Sequence, residues 1–487
     1  MDFPHVHSDE VWLSGINRTL VSNGMIDRTE PFFDLYPRAA HPFRWLYNLL
    51  LAPLTLRFQT GGSKAAEGHL GVSVLAVRAL SFVASLVALG FFGRILVFQN
   101  QPLWRIAPFA LSISFVHASH FGRQDMVILA LLLAAYYGAL RKRTLCATLL
   151  TVAGMGVHPN SLIVGLVVLS ALPAGKRLRS ALGMLAGFAL HVAAGFFLAP
   201  DWIRGYLAFG ESQGIRVGIV DRFGDFGTFW IKLFEQVSGT YTAWDLRLFL
   251  LLGASVLCAS VAIRILRGRS QNDASVKALS AVLAGILLIG RFSSLSVLFA
   301  LPFVLLSVYD GIERIAQAGK SHAFRISAAL QLALLLAVGW NLWSNLKAYD
   351  DQLAYRLSYG EMIQRIAASV PYAEPALGNL NILEAHDPEA FYDIRNLDHL
   401  KGESLEEYLR SRNIRYIIWH DEMDYIARTI ERWHILYGDL AYYPEMKRLL
   451  EGFEVVDRFE NPIYAMRIAA FVGVEPWQTT IYRVVWD

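Results

Sequence analysis

The sequence predicts a polytopic α-helical membrane protein, with about 9–11 visible spans and a soluble α/β domain at its C-terminal end. Three observations predict it. The 487 residues are 55% hydrophobic and 17% charged, with mean hydropathy +0.38, against roughly 25% charge in soluble domains. This excludes an ordinary soluble enzyme and, more firmly, a disordered chain. Apolar runs recur through the first 345 residues. The charge is divided: residues 346–487 hold 24 Asp+Glu and 15 Lys+Arg, a net of −9, leaving 17 acidic and 29 basic residues, a net of +12, upstream. The chain therefore reads as an outer loop at 1–71, a transmembrane part at 72–345 and an extracytoplasmic α/β domain at 346–487.

Taken in order, Met1–Glu10 is polar and has neither the charged nor the apolar region of a signal peptide. Phe43–Phe58 is apolar but shorter than a span and carries Arg44, Trp45, Tyr47 and Arg57, which predicts a helix lying in the outer interface. Spans are predicted at Val72–Phe98, Leu103–Ser119, Met126–Leu140, Thr144–Val157, Ser161–Leu172, Ala181–Leu198, Leu246–Ile265, Val276–Ile289, Leu295–Tyr309 and Ala323–Trp343. His158-Pro159-Asn160 separates two short runs. Proline lacks an N–H and disfavours helix before it, so this pair reads as a helical hairpin whose turn is covered by protein or water.

Basic clusters (Arg94/Arg105, Arg141-Lys142-Arg143, Lys176-Arg177-Arg179, Arg264/Arg267/Arg269/Lys277 and Arg314/Lys320/Arg325) fall at alternate span ends and mark those ends as cytoplasmic. The outer side then receives 1–71, His117–Asp125, Pro200–Asp245, the turn at Arg291 and the C-terminal domain. In that domain Ser404-x-x-Glu407 is a capping box opening a helix over Ser404–Arg412. Ile414–Trp419, Leu380–Leu383, Phe453–Phe459 and Tyr464–Ile468 read as strands, and Tyr425–Leu436 and Glu445–Leu450 as helices. Cys146 and Cys258 both sit in apolar runs and read as small core residues.

Ionisable residues near membrane depth are costly and mark function by default. Four outer-side groups stand out. His5-x-His7-Ser8-Asp9-Glu10 suits a general base or a weak metal-ligand set, or is a solvated polar start. His117-x-x-His120-Phe121-Gly122-Arg123-Gln124-Asp125 precedes an apolar helix, where Asp125 is a site carboxylate or answers the helix dipole. His41-Pro42-Phe43-Arg44 opens the interfacial helix, Arg44 serving a ligand or snorkelling. Arg291 is on the side the charge rule disfavours and suits a phosphate, or snorkels. Carboxylates and cations on one face suit transfer from a phosphate-activated lipid donor: one deprotonates a hydroxyl and the others neutralise the leaving phosphate. His386-Asp387 and His420-Asp421-Glu422, the metal-like clusters of the tail, read as loop residues at strand ends.

Over Asp9 to Val308 these motifs resemble the GT-C membrane glycosyltransferases. The similar branches are glycosyltransferase 39, the dolichyl-phosphate-mannose protein mannosyltransferase-like family, and the lipid A aminoarabinose transferase-like one. Asp9-Glu10 before Val11-Trp12-Leu13, His41-Pro42 before an aromatic-rich helix, Arg78 opening a span, Arg123-Gln124-Asp125, Gly154-Met155-Gly156-Val157, and Arg291-Phe292 with Leu301-Pro302 follow the family's order. Two departures are the missing span before the Asp-Glu loop, so that a segment upstream of Met1 is expected, and His158-Pro159-Asn160 where the family has Thr-Lys.

The resemblance implies Asp9 as catalytic base with Glu10 in support, Asp125 as a second acidic residue, and His41, Arg44, Arg123 and Arg291 as ligands of the donor phosphate. It implies a polyprenyl-phosphate sugar donor, a lipid, glycan or protein acceptor, and inversion at the anomeric carbon. Some relatives use a divalent metal, for which His5 and His7 are the weak ligands here; no other cofactor is implied. Trp202, Tyr206 and Arg222, in the loop Pro200–Asp245, are placed to cover the substrate or to sit at the interface. The bilayer is a partner and nucleic acid is not. The compact loops lean towards a bacterial inner membrane with the site facing the periplasm. A membrane transporter, a lipid-polysaccharide polymerase or ligase, and a non-catalytic envelope assembly protein are the rival readings.

Overall fold

The structure, a computed structural model, describes residues 6–24, 34–35, 44–59, 72–198, 274–289, 296–318, 323–352, 357–400, 402–431, 438–464 and 476–486. The expected span Leu246–Ile265 lies outside them, as do His5, His41, Trp202, Tyr206, Arg222 and Arg291. Two compact units divide the chain: Met1–Ala79, Gly195–Arg216 and Gln352–Asp487 form the first, and Leu80–Ala194 with Val217–Asp351 the second.

The first unit begins with α1 (Ser8–Asn23), which ends at Gly24 in the left-handed region (φ 70), its N–H bonded to the Leu20 carbonyl. Val11, Trp12, Leu13 and Ile16 are buried, and so are Ser14, Asn17, Arg18 and Thr19. Buried polar groups need partners, and α1 has them. Ser14 Oγ accepts from the Ser73 N–H at 2.7 Å, Asn17 donates to the Asn48 carbonyl at 2.6 Å and accepts from Thr55 at 2.5 Å, and Arg18 pairs with Glu389 at 2.5 Å. Helix α2 (Trp45–Gln59) turns Tyr47, Asn48, Leu51 and Thr55 inward and leaves Leu49, Leu50, Leu56 and Phe58 exposed.

Helix α3 (Val74–Phe98) leads into the second unit; its 25 residues extend ~37 Å, enough for a bilayer core. There follow α4 (Ala107–Ala110), α5 (Ile113–His120), α6 (Asp125–Leu140), α7 (Thr144–Met155), α8 (Leu162–Ala171), α9 (Ala174–Leu198), α10 (Ala274–Ile289), α11 (Ser296–Ala318) and α12 (Ala323–Gln352). Among the described residues, α3, Ala174–Phe196 and Ser327–Lys347 are long and apolar enough to cross a membrane. The pair α5 and α6, bent by 118°, makes a fourth if counted as one broken span.

Leu103–Ser119 is not the single span expected. It breaks into a 3-10 turn at Leu103–Ile106, α4 and α5, because Pro108 starts α4 and Ser112 is extended. The break at His158-Pro159-Asn160 falls where the proline predicts it, with a 3-10 turn at Pro159–Ser161 between α7 and α8. Helix α6 is apolar all round and buried on most sides, so it forms the centre of this unit, packed on α7, α8 and α11.

Gly285 lets α10 close on α8: a Cβ there would lie 2.9 Å from Ile163 Cγ1 and 3.2 Å from its Cα. Gly285→Leu is expected to cost about 1–3 kcal/mol by overpacking, read as a lower unfolding temperature in detergent; an unchanged temperature would mean that the two helices separate freely. Towards the end of α12, exposed Trp340 and Trp343 lie 5.0 Å apart with tilted rings and Lys347 over Trp343, the residue types of a membrane–water interface.

The C-terminal part of the first unit opens with α13 (Tyr359–Ser369), started by a Ser358–Glu361 capping box. A five-stranded sheet follows in the order β2 (Phe391–Asp393), β1 (Ala376–Gly378), β3 (Tyr416–His420), β5 (Gln478–Arg483), β4 (Glu454–Glu460). β1 runs parallel to β2 and β3, and β5 is antiparallel to β3 and β4. Central β3 is buried on both faces, which is why it reads as an unbroken apolar run. Helices α14 (Leu405–Ser411), α15 (Glu422–Arg428) and α16 (Tyr443–Gly452) cover the core around Ile417, Trp419, Leu409 and Met446.

The Ser404 capping box forms as expected. Leu380–Leu383, expected as a strand, is instead part of a 3-10 helix, Leu380–Ala385, because the Asn379 side chain caps it through the Asn381 N–H. Helix α15 replaces the earlier part of the expected Tyr425–Leu436 helix and ends at Arg428, with Thr429 bonding back to Tyr425 and Ile426. Residues 465–468 of the expected strand Tyr464–Ile468 lie outside the described ones, and Tyr464 itself is in a turn.

Candidate functional site

The first site is the first turn of α1. His7 is the N-cap, extended at φ −106 and ψ 146, and its Nδ1 accepts from the Asp9 N–H at 3.1 Å. An accepting Nδ1 carries no proton, so the Asp9 Oδ1 at 3.8 Å is a neighbour of this ring and not its hydrogen-bond partner. Glu10 Oε2 accepts from the His7 N–H at 2.9 Å, closing a capping box.

The Glu10 carboxylate is also gripped by Arg78 from the first turns of α3: Nε to Oε1 at 2.8 Å and Nη2 to Oε2 at 3.0 Å. Both partners are buried, Glu10 at 0% exposure, so this is a bidentate, desolvated ion pair. The side chain of Asp9 keeps 24% exposure and that of His7 33%. Two adjacent acids thus have two environments. Arg44 stands with its guanidinium 4.9 Å above the Trp12 ring; Trp12 is one turn from Asp9 on α1, so the cation flanks the same end.

The second site, in the second unit, is the break between α5 and α6. Gln124 and Asp125 begin α6, where an acid is favoured by the helix dipole. Arg123 Nε lies 3.3 Å from Asp125 Oδ2, and Asp125 is almost wholly buried. Ser81 of α3 holds the turn: its Oγ donates to the Arg123 carbonyl at 3.1 Å, and the Arg123 N–H points back to that Oγ at 3.3 Å. The Gln124 amide is buried beside Asp125 with neither end hydrogen-bonded. His117 lies 5.3 Å from Phe121 with the rings tilted, and His120 bonds Ser119 and the Val116 carbonyl.

Asp9, Glu10 and Arg44 are therefore brought together in the first unit, and Arg123 and Asp125 in the second. Sequence reasoning singled out Arg44 and Arg123 as basic residues on the outer side but passed over Arg78 as a ligand, although the same signal, a basic residue at an outer span end, marks it. Among the described residues no group of three or more His, Cys, Asp or Glu could hold a metal ion.

Of the tail clusters, His420-Asp421-Glu422 lies at a strand end, whereas His386 caps the 3-10 helix Leu380–Ala385. His420 closes β3 with Nδ1 2.7 Å from Thr479 Oγ1, and Asp421 accepts from the Gln478 N–H. Burial pushes the His420 imidazole down to about 3. Its neutral form belongs to the fold, so its contribution is complete above the ordinary value of 6.5 and declines as pH falls from there towards 3, by up to about tenfold in the folding equilibrium per unit. His420→Gln is expected to flatten this acid slope between pH 7 and 5 in thermal unfolding; an unchanged slope would show that the ring does not titrate with unfolding.

The chain matches glycosyltransferase family 87 over residues 45–298. The match takes in Arg78, Arg123, Asp125 and Arg291 and leaves out α1 and the C-terminal domain; it is not one of the two branches that the motifs resemble. No curated protein matches. Among solved structures, the apo oligosaccharyltransferase of Archaeoglobus fulgidus aligns with TM-score 0.50 and 10% identity, over 86% of this chain and 66% of that one. Its complex with an inhibitory peptide and a dolichol-phosphate gives TM-score 0.48, 10% identity and the same coverage. The form tethered to an acceptor peptide gives 0.45 and 12%, over 85% and 65%. The chain thus spans just under two thirds of the length of these archaeal proteins.

Proposed function

This chain belongs to glycosyltransferase family 87, a family of the GT-C membrane type, and on that premise we propose that it moves a sugar from a polyprenyl-phosphate donor to an acceptor hydroxyl at the outer, periplasmic face of a bacterial inner membrane. The observation that carries the reading is the division of labour at the start of α1. Glu10 is neutralised by Arg78 and caps the helix, while Asp9 holds a partly exposed carboxylate one residue away.

In this reading the Asp9 carboxylate takes the proton of the acceptor hydroxyl as its oxygen attacks the anomeric carbon. The sugar–phosphate bond breaks on the opposite face, and the configuration inverts. Arg44 with His41, Arg123 and Arg291 are cations for the charge developing on the leaving phosphate, and Asp125 is a second acidic residue. The acceptor is a lipid, glycan or protein hydroxyl.

The bend between α5 and α6 favours one rival, because transporters bind substrates at broken helices. The test is purified protein, in nanodiscs for turnover and in sealed vesicles for uptake, with a panel of polyprenyl-phosphate sugars and acceptor extracts. Release of polyprenyl phosphate with sugar on the acceptor supports transfer; uptake into vesicles without turnover supports transport and rejects it.

A further inference from the structure

The second unit gathers cations at one end. Arg94 lies near the end of α3, Arg141, Lys142 and Arg143 make the turn from α6 to α7, and all four are exposed. The backbone of that turn satisfies itself: the N–H groups of Arg141, Lys142 and Arg143 donate to the carbonyls of Tyr137, Ala139 and Gly138. Among the described residues no carboxylate pairs with any of the four cations, whereas Arg105, in the 3-10 turn that packs on Gly93, is taken by Glu313. The α6 C-terminus offers only about half a negative charge against the three cations that follow it.

Two of the cations are held on rings. Phe91, Arg94 and Phe98 follow at i, i+3 and i+7 and share a face of α3, as Tyr137 and Arg141 do at i, i+4 at the end of α6. Arg94 stands 5.7 Å over the Phe91 ring and Arg141 5.9 Å over the Phe98 ring. Both phenylalanines meet Tyr137, at 6.2 Å and 6.4 Å, the second edge-on. The three rings thus join the ends of α3 and α6 and present both guanidiniums from one patch. A guanidinium held at a ring face keeps N–H donors for a second, anionic partner. Around the patch Val97, Phe98, Leu103, Trp104 and Leu145 are exposed.

We propose that this end of the second unit binds an anionic phospholipid, its phosphate taken by Arg94 and Arg141 and its acyl chains lying along the exposed apolar side chains beside them. The uncompensated cations select an anion. The apolar surround selects a lipid over a soluble phosphate, because only the lipid also covers those side chains. Basic residues near a bilayer surface attract anionic lipid in any case. The rings add to that attraction by fixing two of the cations beforehand, so less side-chain freedom is lost on binding. The inference is independent of the transfer reaction.

The test is the full chain in a neutral detergent, titrated with phosphatidylglycerol and, separately, with phosphatidylcholine of the same chains, bound lipid being counted by native mass spectrometry. The wild type is expected to bind the anionic lipid about tenfold more tightly. Arg94→Gln with Arg141→Gln should remove that preference. Phe98→Leu, which keeps an apolar side chain but no ring, should weaken it about threefold. Lys176→Gln with Arg179→Gln removes the same charge from exposed positions early in α9, where no ring among the described residues meets either cation, and should leave the preference unchanged. Equal losses in the two double variants would reduce the patch to general charge attraction and overturn the proposal. So would equal binding of the two lipids by the wild type, or displacement of phosphatidylglycerol by an excess of soluble glycerol phosphate. Unfolding temperatures in lipid-free detergent show which variants are folded. Should the arginine variant not fold, the two lipids on the wild type and Phe98→Leu decide the matter.

Discussion

Asp9→Asn is expected to abolish transfer while leaving the protein folded. A positioned general base contributes about 10²–10⁴-fold, so kcat should fall by that range with the donor KM little changed. The substitution keeps the shape of the side chain. It leaves the backbone N–H that His7 accepts, and the carboxylate it removes is partly exposed and outside the Glu10–Arg78 pair. Initial rates in nanodiscs, beside an unfolding curve matching the wild type, check it. A variant within tenfold of wild-type kcat would take the base role away from Asp9.

Arg78→Met is expected to be the most damaging single change for stability. It strips both guanidinium bonds from a carboxylate with no exposure and leaves Glu10 charged and buried with the His7 N–H. Breaking a buried pair from one side costs about 3–5 kcal/mol. Glu10→Gln combined with Arg78→Met removes both charges and is expected to be more stable than the sum of the two single variants predicts, by more than ~1 kcal/mol. Thermal unfolding of the four proteins in one detergent measures this. Strict additivity would mean that the pair is not energetically coupled.

Much of the fold was legible locally. The apolar run from Val74 to Phe98, the proline break at Pro159 and the Ser404-x-x-Glu407 box each state a local preference that the structure keeps. Two elements misled for identifiable reasons. Leu103–Ser119 has the hydropathy of a span, but Pro108 and extended Ser112 cut it into short pieces. Leu380–Leu383 has the composition of a strand, but the Asn379 side chain offers the backbone a tighter turn.

For the site, the charge rule was the useful signal, because it expects few cations on the outer side. It singled out Arg44 and Arg123, which the structure places against Trp12 and Asp125.

The amino-acid sequence by itself determined that this is a helical membrane protein with an acidic α/β tail, and where several of its helices begin and break. Those properties depend on water against hydrocarbon and on neighbours a few residues apart. Only the tertiary structure showed how the surroundings of Asp9 and Glu10 differ. Adjacent carboxylates are equivalent in one dimension. They diverge because Arg78, from a helix 68 residues further on, neutralises one of them out of reach of water, while the other stays at the edge of the packed unit.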